Sequence, residues 1–415
     1  MKVFKFGGAS VKDAEALKNV IKVLRVTGEG DLMIVVSAMG KTTNALEEVV
    51  TAHLKTPILV EEKLQVVKNF HRNILEKTFE NDDPIFIKIE QLFEELGVFL
   101  TNNNSTDENY VYDQIVPYGE LLSTMIVQAF FRESGIRSTW LDARDWLKTD
   151  MNHREAGVDW PKTKKALNKA VAGTGVYLTQ GFIASGDTGF MTTLGREGSD
   201  YTAAIIAYCL DATSVTIWKD VAGVLSADPR HFKNARLLKS ISYEEAIELA
   251  FYGASVIHPK TLQPLQRKNI LLYVRSFLNP LAEGTAVMAA ASVDPLTPCF
   301  IVKKSQALLS LSTLDFSFMM KEHIGEVFKL LGKNKMKVDV IQNSAISFKV
   351  CIEDKFARMP QLIEQLRETF KIDLVTGVEL YTIRHFTQAS IDFIASGREV
   401  LLKQVAGNTV QMVIR

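Results

Sequence analysis

The chain has 415 residues, enough for two or three domains rather than one core of ordinary size. Apolar residues make up 47% and charged residues 23%, and the 48 Lys+Arg cancel the 48 Asp+Glu, the balance of a soluble globular protein. That zero net charge argues against nucleic-acid or anionic-membrane binding through bulk charge, and no run approaches the roughly 18–20 apolar residues that cross a bilayer. Cys209, Cys299 and Cys351 are scattered without CxxC spacing, which reads as three reduced thiols in a cytoplasmic protein. The N-terminus does not read as a signal peptide, and the seven dispersed histidines give no metal-ligand spacing, so no protein-held metal is expected.

From residue 1 to about 280, strand-like and helix-like segments alternate. "VFKF" leads into a helix on which Ala14, Leu17, Ile21 and Leu24 share a face, with Ser10 read as its N-cap and Asp13 three residues on. "LMIVVS" (32–37) is a continuous apolar run, as expected of a strand covered on both faces. Helical stretches follow at 43–54, 61–79 and 84–101, then a polar loop "TNNNSTDEN" (101–109) and a helix at 119–135. "VYLTQGFIAS" (176–185), "SVTIWKD" (214–220) and "LLYVRSF" (271–277) read as strands, with helices at 200–210, 243–252 and 260–268. The alternation predicts an α/β domain with a mainly parallel sheet, whose ligands lie at the carboxyl ends of the strands.

The texture changes after a linker, "LNPLAEGTAV" and "VDPLTP". Strand 307–314, helix 325–335, two strands within 338–354 and helix 357–370 are echoed by strand 378–386, helix 387–396 and strands 399–406 and 409–415. Two strand–helix–strand–strand units predict a pair of small α+β domains, the second without a closing helix.

Several motifs carry chemistry, and most of them read two ways. In "KVFKFGGASV", Lys5 either snorkels from a strand that ends in a glycine turn or projects into a nest of backbone amides. On the second reading Gly7 and Gly8 admit a polyphosphate, and Ser10 opens a helix facing the same anion. "GKT" (40–42) is no Walker loop, because Val35 stands where its first glycine belongs, and "GEG" (28–30) lacks the third glycine of a dinucleotide fingerprint. "VSAMGKTTNAL" is an ordinary capped loop or a loop whose Ser37 and Thr43 bind a small anion. In "TTLGREGSDYTAAI", Gly195 and Gly198 flank Arg196, and Ser199–Asp200 precede a helix. The arginine fork suits a carboxylate or phosphate, while capping alone would also account for Ser199 or Asp200. "WKDVAGVLSADPR" with Asp220, Gly223 and Arg230, "YGASVIHPKT" with Lys260, and Glu120 at a helix start are each explicable as turns or dipole partners.

Taken together and in order, "KFGGASV", "VSAMGKTTN", Gly119–Glu120, "LGREGSDYTA", "WKDVAGVLSADPR" and "GASVIHPKT" resemble aspartate kinases of the amino acid kinase family, and the tail resembles their paired ACT domains. The resemblance implies an α/β three-layer sandwich with a mainly parallel sheet, plus C-terminal ferredoxin-like α+β domains. It implies a catalytic domain at 1–280, a linker at 281–298, and ACT-like domains at 299–376 and 377–415. The implied reaction moves the γ-phosphoryl of ATP, with Mg²⁺, to the β-carboxylate of L-aspartate, the first step toward lysine, threonine and methionine. Lys5 and Asp200 would be catalytic, Asp200 holding the lysine. Gly7, Gly8, Ser10, Lys219, Asp220, Gly223, Arg230 and Lys260 would serve the nucleotide. Ser37, Thr43, Glu120, Arg196 and Ser199 would form the amino-acid pocket, with Glu120 on the amino group and Arg196 on the α-carboxylate. An end-product amino acid at the ACT domains and a homodimer or larger homo-oligomer are also implied. The chain departs from the resembled motifs at Ala9 (usually threonine), Glu197 (glycine), Leu225 (tyrosine) and, in the tail, Glu322 (glycine).

Overall fold

A computed structural model describes residues 1–27, 30–254, 257–315 and 317–415. Gly28 and Glu29 of "GEG", and Ser255 and Val256 of "YGASVIHPKT", lie outside the described residues. The chain divides into two compact units. The first comprises Met1–Val224, Leu237–Ile247 and Val256–Asp294; the second comprises Leu225–Arg236, Glu248–Ser255 and Pro295–Arg415.

The strands of the first unit begin with β1 (Lys2–Phe6), β2 (Leu32–Val36), β3 (Ser138–Leu141), β4 (Lys148–Thr149) and β5 (Val176–Gln180). They continue with β6 (Ile183–Gly186), β7 (Met191–Thr193), β8 (Ser214–Lys219), β9 (Ser240–Ser242), β10 (Leu271–Ser276) and β11 (Thr285–Met288). Eight of them form one sheet in the order β3-β5-β2-β1-β8-β10-β11-β9, while β4, β6 and β7 make a small separate one. Every pairing in the large sheet is parallel except β10 with β11. All five residues of β2 are buried, because helix Tyr118–Glu133 and helix Gly198–Cys209 both pack on it. An apolar run without alternation is what such double covering selects. Phe6 is level with Val36 and Trp218, and Val36 with Gln180, so the loops after β1, β2, β5 and β8 leave from one edge. Trp218, 1% exposed, locks the end of β8 by stacking on Phe6 at 6.2 Å and meeting Phe4 edge-on at 5.6 Å.

The structure differs from the sequence reading at four places in this unit. Ser10 does not cap the following helix: Gly8–Val11 forms a 3₁₀ turn, and Asp13 Oδ1 accepts from Ala16 N at 2.8 Å instead. The run 176–185 is two strands in two sheets, broken at Gly181 and at Phe182, whose φ of 69° turns the chain. A helix, Glu108–Ile115, starts inside the polar stretch, capped by Asp107, which accepts from Asn109 N and Tyr110 N. The stretch read as a linker supplies β11, which joins the large sheet.

In the second unit β12 (Cys299–Thr313), β13 (Lys337–Asn343), β14 (Phe348–Glu353), β15 (Phe370–Arg384), β16 (Val400–Ala406) and β17 (Thr409–Ile414) form one antiparallel sheet, ordered β13-β14-β12-β15-β17-β16. The two repeats read from the sequence therefore share a sheet, joined where β12 and β15 pair from Cys299↔Arg384 to Thr313↔Phe370. The boundary read at 376 falls inside β15. Helices Lys321–Lys333 and Met359–Leu366 cover the first repeat through Val327, Leu331, Leu362 and Leu366, and Gln388–Ala395 covers the second through Ile391 and Ile394.

Candidate active site

The carboxyl end of β1 carries the first element of the site. Lys5 is 8% exposed, and its Nζ lies 2.6 Å from Asp200 Oδ1 in the first turn of helix Gly198–Cys209. Lys219, the last residue of β8, brings its Nζ to 3.5 Å from Asp200 Oδ2. Burial alone would raise the Asp200 carboxyl, but the ammoniums of Lys5 and then Lys219 hold it below the usual carboxylate range. Lys5 and Lys219 thus both bring an ammonium to the strand ends, a positive environment that attracts an anion.

Of the two glycines after β1, Gly8 is required by close approach. A Cβ on Gly8 would lie 2.7 Å from Ala38 O and 2.9 Å from Gly40 O, and Gly40 N donates to Gly8 O at 3.0 Å. The loops after β1 and β2 are thereby stitched together. A Cβ on Gly7 would stand 3.3 Å from the Lys5 ammonium, in the space beside the charge.

Glu120 enters from the first turn of helix Tyr118–Glu133 and is 3% exposed. Ala38 N donates to its Oε1 at 3.1 Å, and its Oε2 is buried without a hydrogen-bond donor among the described residues. Burial pushes its carboxyl up to about 8, against the pull of the Ala38 and Glu120 backbone amides and of Lys5. A buried acceptor in want of a donor is costly to a fold unless something supplies one. An ammonium would do so and would return the carboxyl to its ionised form.

The remaining candidates fall into groups. Ser37 is half-buried beneath the same loop, its N–H on Phe6 O and its carbonyl accepting from Ser123 Oγ at 2.7 Å. Thr43 is half-buried in the first turn of helix Thr42–Lys55. Ser199 is buried beside Asp200. Arg196 is exposed and makes no ion pair among the described residues; its loop turns at Gly195 (φ 77°) and Glu197 (φ 54°). Glu197 thus stands in the left-handed region, where a glycine is at no disadvantage and a longer residue bears roughly 1–2 kcal/mol of strain. Ser10 is buried under the 3₁₀ turn, its N–H on Gly7 O at 2.9 Å. Asp220 is exposed, and Lys260 is half-buried in the first turn of helix Pro259–Lys268. Gly223 has a packing reason of its own: at φ 153°, a Cβ there would lie 2.6 Å from Thr285 Oγ1. Arg230 belongs to the second unit, where its exposed guanidinium folds back on Asp228 at 2.6 Å. A 710 Å³ surface cavity at Gln128, Arg132 and Trp140 shares none of these residues.

Gly181 is a residue of the site that no sequence motif picked out. A Cβ on it would lie 2.4 Å from Ser199 Cβ, so this glycine lets the amino end of helix Gly198–Cys209 seat against β5. Its only signal in the sequence is a glycine within an apolar strand run. Gly181→Ala is expected to lower stability by about 1–3 kcal/mol, as overpacking does. A urea titration reads that loss, and an unchanged midpoint would show that Ser199 has room to move.

Residues 1–276 match the amino acid kinase family. The lysine-sensitive aspartokinase 3 of Escherichia coli is 33% identical over 354 residues, covering 85% of this chain and 78% of that one. The crystal structure of Escherichia coli aspartokinase III with lysine and aspartate superposes with a TM-score of 0.83 at 28% identity, over 100% of this chain and 95% of that one. The same enzyme solved with aspartate and ADP gives 0.79 at 27% identity, over 100% and 96%.

Proposed function

This chain belongs to the amino acid kinase family, and on that premise we propose that it is an aspartate kinase, moving the γ-phosphoryl of ATP to the β-carboxylate of L-aspartate. The observation that carries the reading is the Lys5–Asp200–Lys219 triad at the strand ends, with Lys5 and Asp200 buried and Lys5 within the electrostatic reach of Glu120.

An aspartate side chain has a reference pKa of about 3.9, so the nucleophile is already ionised at neutral pH and no general base is needed. The obstacle is bringing one anion onto another: two like unit charges at 4 Å repel by roughly 4 kcal/mol at an effective dielectric of about 20. Catalysis is then mostly positioning and charge compensation. Lys5 acts on the transferred group, held by Asp200 and with Gly7 and Gly8 leaving room for phosphate. Lys219, Asp220 and Lys260 serve the nucleotide side. Glu120 Oε2 takes the substrate ammonium, Arg196 forks onto the α-carboxylate, and Ser37, Thr43 and Ser199 complete the pocket. Substrates without a free amino group, such as N-acetylglutamate or a nucleoside monophosphate, leave Glu120 without its donor and are disfavoured. Magnesium would neutralise phosphate charge. Mg²⁺ rarely uses an all-protein cage, so the ion would be carried mainly on phosphate oxygens.

The intact triad also argues against a non-catalytic sensor, in which two ammoniums held on one buried carboxylate would serve nothing. The second unit is assigned to sensing an end-product amino acid and to association between chains, lysine being the first effector to test because the Escherichia coli relative is lysine-sensitive.

Hydroxylamine trapping tests the reading. ATP with aspartate is expected to yield the acyl hydroxamate, with glutamate and N-acetylglutamate far behind; no hydroxamate from aspartate would end the proposal. Repeating the assay with lysine, threonine or methionine present reads the second unit.

A further inference from the structure

Helix Glu108–Ile115 contributes no residue to the pocket described above, yet it carries a carboxylate with no solvent exposure, Asp113. Asp113 Oδ2 accepts from the Arg154 amide at 3.0 Å, the Thr193 amide at 3.2 Å and, in the Nδ1–H tautomer, His153 at 2.9 Å. Its Oδ1 accepts from Thr193 Oγ1 at 2.7 Å. Burial pushes this carboxyl up, and the bonds from Thr193, Arg154 and His153 pull it back. The adjacent Gln114 clasps Met191 through both amide atoms, Nε2 to Met191 O at 2.9 Å and Met191 N to Oε1 at 3.3 Å. The helix thus grips β7 at both ends.

What β7 leads into is the loop of Arg196. Thr193 is three residues before it, and Gly195 rests against the Arg154 carbonyl, which would lie 3.0 Å from a Cβ at that position. Both walls of the loop, Thr193 and Arg154, are therefore fixed by one carboxylate. Asp113 also precedes Glu120 by seven residues, across the short connection between helices Glu108–Ile115 and Tyr118–Glu133. One segment of chain carries the group for the substrate ammonium and the group that sets the loop of the α-carboxylate fork.

We propose that Asp113 is a positioning residue that, by fixing Thr193 and Arg154, sets the reach of Arg196 and so the affinity for the amino-acid substrate. The proposal rests on the aspartate kinase reading. Ionised Asp is acceptor-only, and all four groups reach it as donors; the isosteric Asn would turn an NH₂ on some of them. The effect is selective, because the loop it sets faces the amino acid and not the nucleotide.

Calorimetric titration of Asp113→Asn with aspartate and with ADP tests this. Aspartate affinity is expected to fall at least about tenfold and ADP affinity to stay within about twofold. If Asp113 acts through Arg196, Asp113→Asn adds nothing in an Arg196→Ala background, whereas independent effects would multiply. Unchanged aspartate affinity, equal losses for both ligands, or multiplying effects would overturn the proposal. Should Asp113→Asn not fold, Thr193→Val removes only the Oγ1 bond, and a severalfold loss of aspartate affinity supports the proposal where an unchanged value ends it. Hydroxamate formation by the wild-type protein is read first, so failure here is distinct from failure of the parent reading.

Discussion

Replacing Lys5 with methionine is expected to cut kcat by about three orders of magnitude, with a much smaller loss of aspartate affinity, caused by Glu120 losing the pull of the Lys5 ammonium. Removal of a single preorganised donor from a site of developing charge costs on the order of 10²–10³ in kcat, and here a full charge goes with it. The triad falls from a net positive charge to neutrality, leaving Lys219 at 3.5 Å as the partner of Asp200. A buried carboxylate stripped of its main partner also destabilises the fold, by up to about 3–5 kcal/mol where nothing replaces it. Lys5→Met/Asp200→Asn removes both charges and is the control: it should recover stability without recovering turnover. ADP release at saturating substrates measures the loss. A Lys5→Met variant within about tenfold of wild type would remove the ammonium from the chemistry.

Glu120→Gln should weaken aspartate binding by roughly 10- to 150-fold, the 1.5–3 kcal/mol of a hydrogen bond to a charged group. Its pH dependence is the sharper test. In the free protein burial pushes the carboxyl up to about 8, so at neutral pH it is mostly protonated. Binding the substrate ammonium requires the ionised form, so the proton must leave. Aspartate KM should therefore fall as pH rises, approaching tenfold per unit below about 8 and levelling off above it. Glutamine cannot titrate, and the slope should vanish in the variant. A wild-type KM that is flat between about pH 6 and 8 would mean that Glu120 is already ionised in the empty protein.

Much of the fold was legible because local patterns and tertiary environment agree. The unbroken apolar run of β2 announces a strand buried on both sides, and helices Val60–Thr78 and Ile85–Asn102 start and stop within a residue or so of their periodic pattern. What stayed hidden depends on distant chain. Nothing local separates β5 from β6, because the break at Gly181 is imposed by Ser199. β11 is four residues long and owes its strand character to pairing with β10. Helix Glu108–Ile115 did carry a local sign, the Asp107 cap, obscured by the asparagines before it. For the site, Lys5 looked out of place in its strand, and that alone flagged it. Its meeting with Asp200 and Lys219 joins residues some 200 apart, which no spacing argument reaches; motif resemblance supplied the association. Asp113 had neither an odd context nor a motif.

The pairing of β12 with β15 has a bearing on how the tail can be cut. Each is a fifteen-residue strand with neighbours on both sides. A chain ending between the two repeats would stop partway along β15, leaving β12 a long raw flank of amides and carbonyls. Such a flank recruits other strands indiscriminately, so a half-tail fragment should clump where the whole tail stays dispersed.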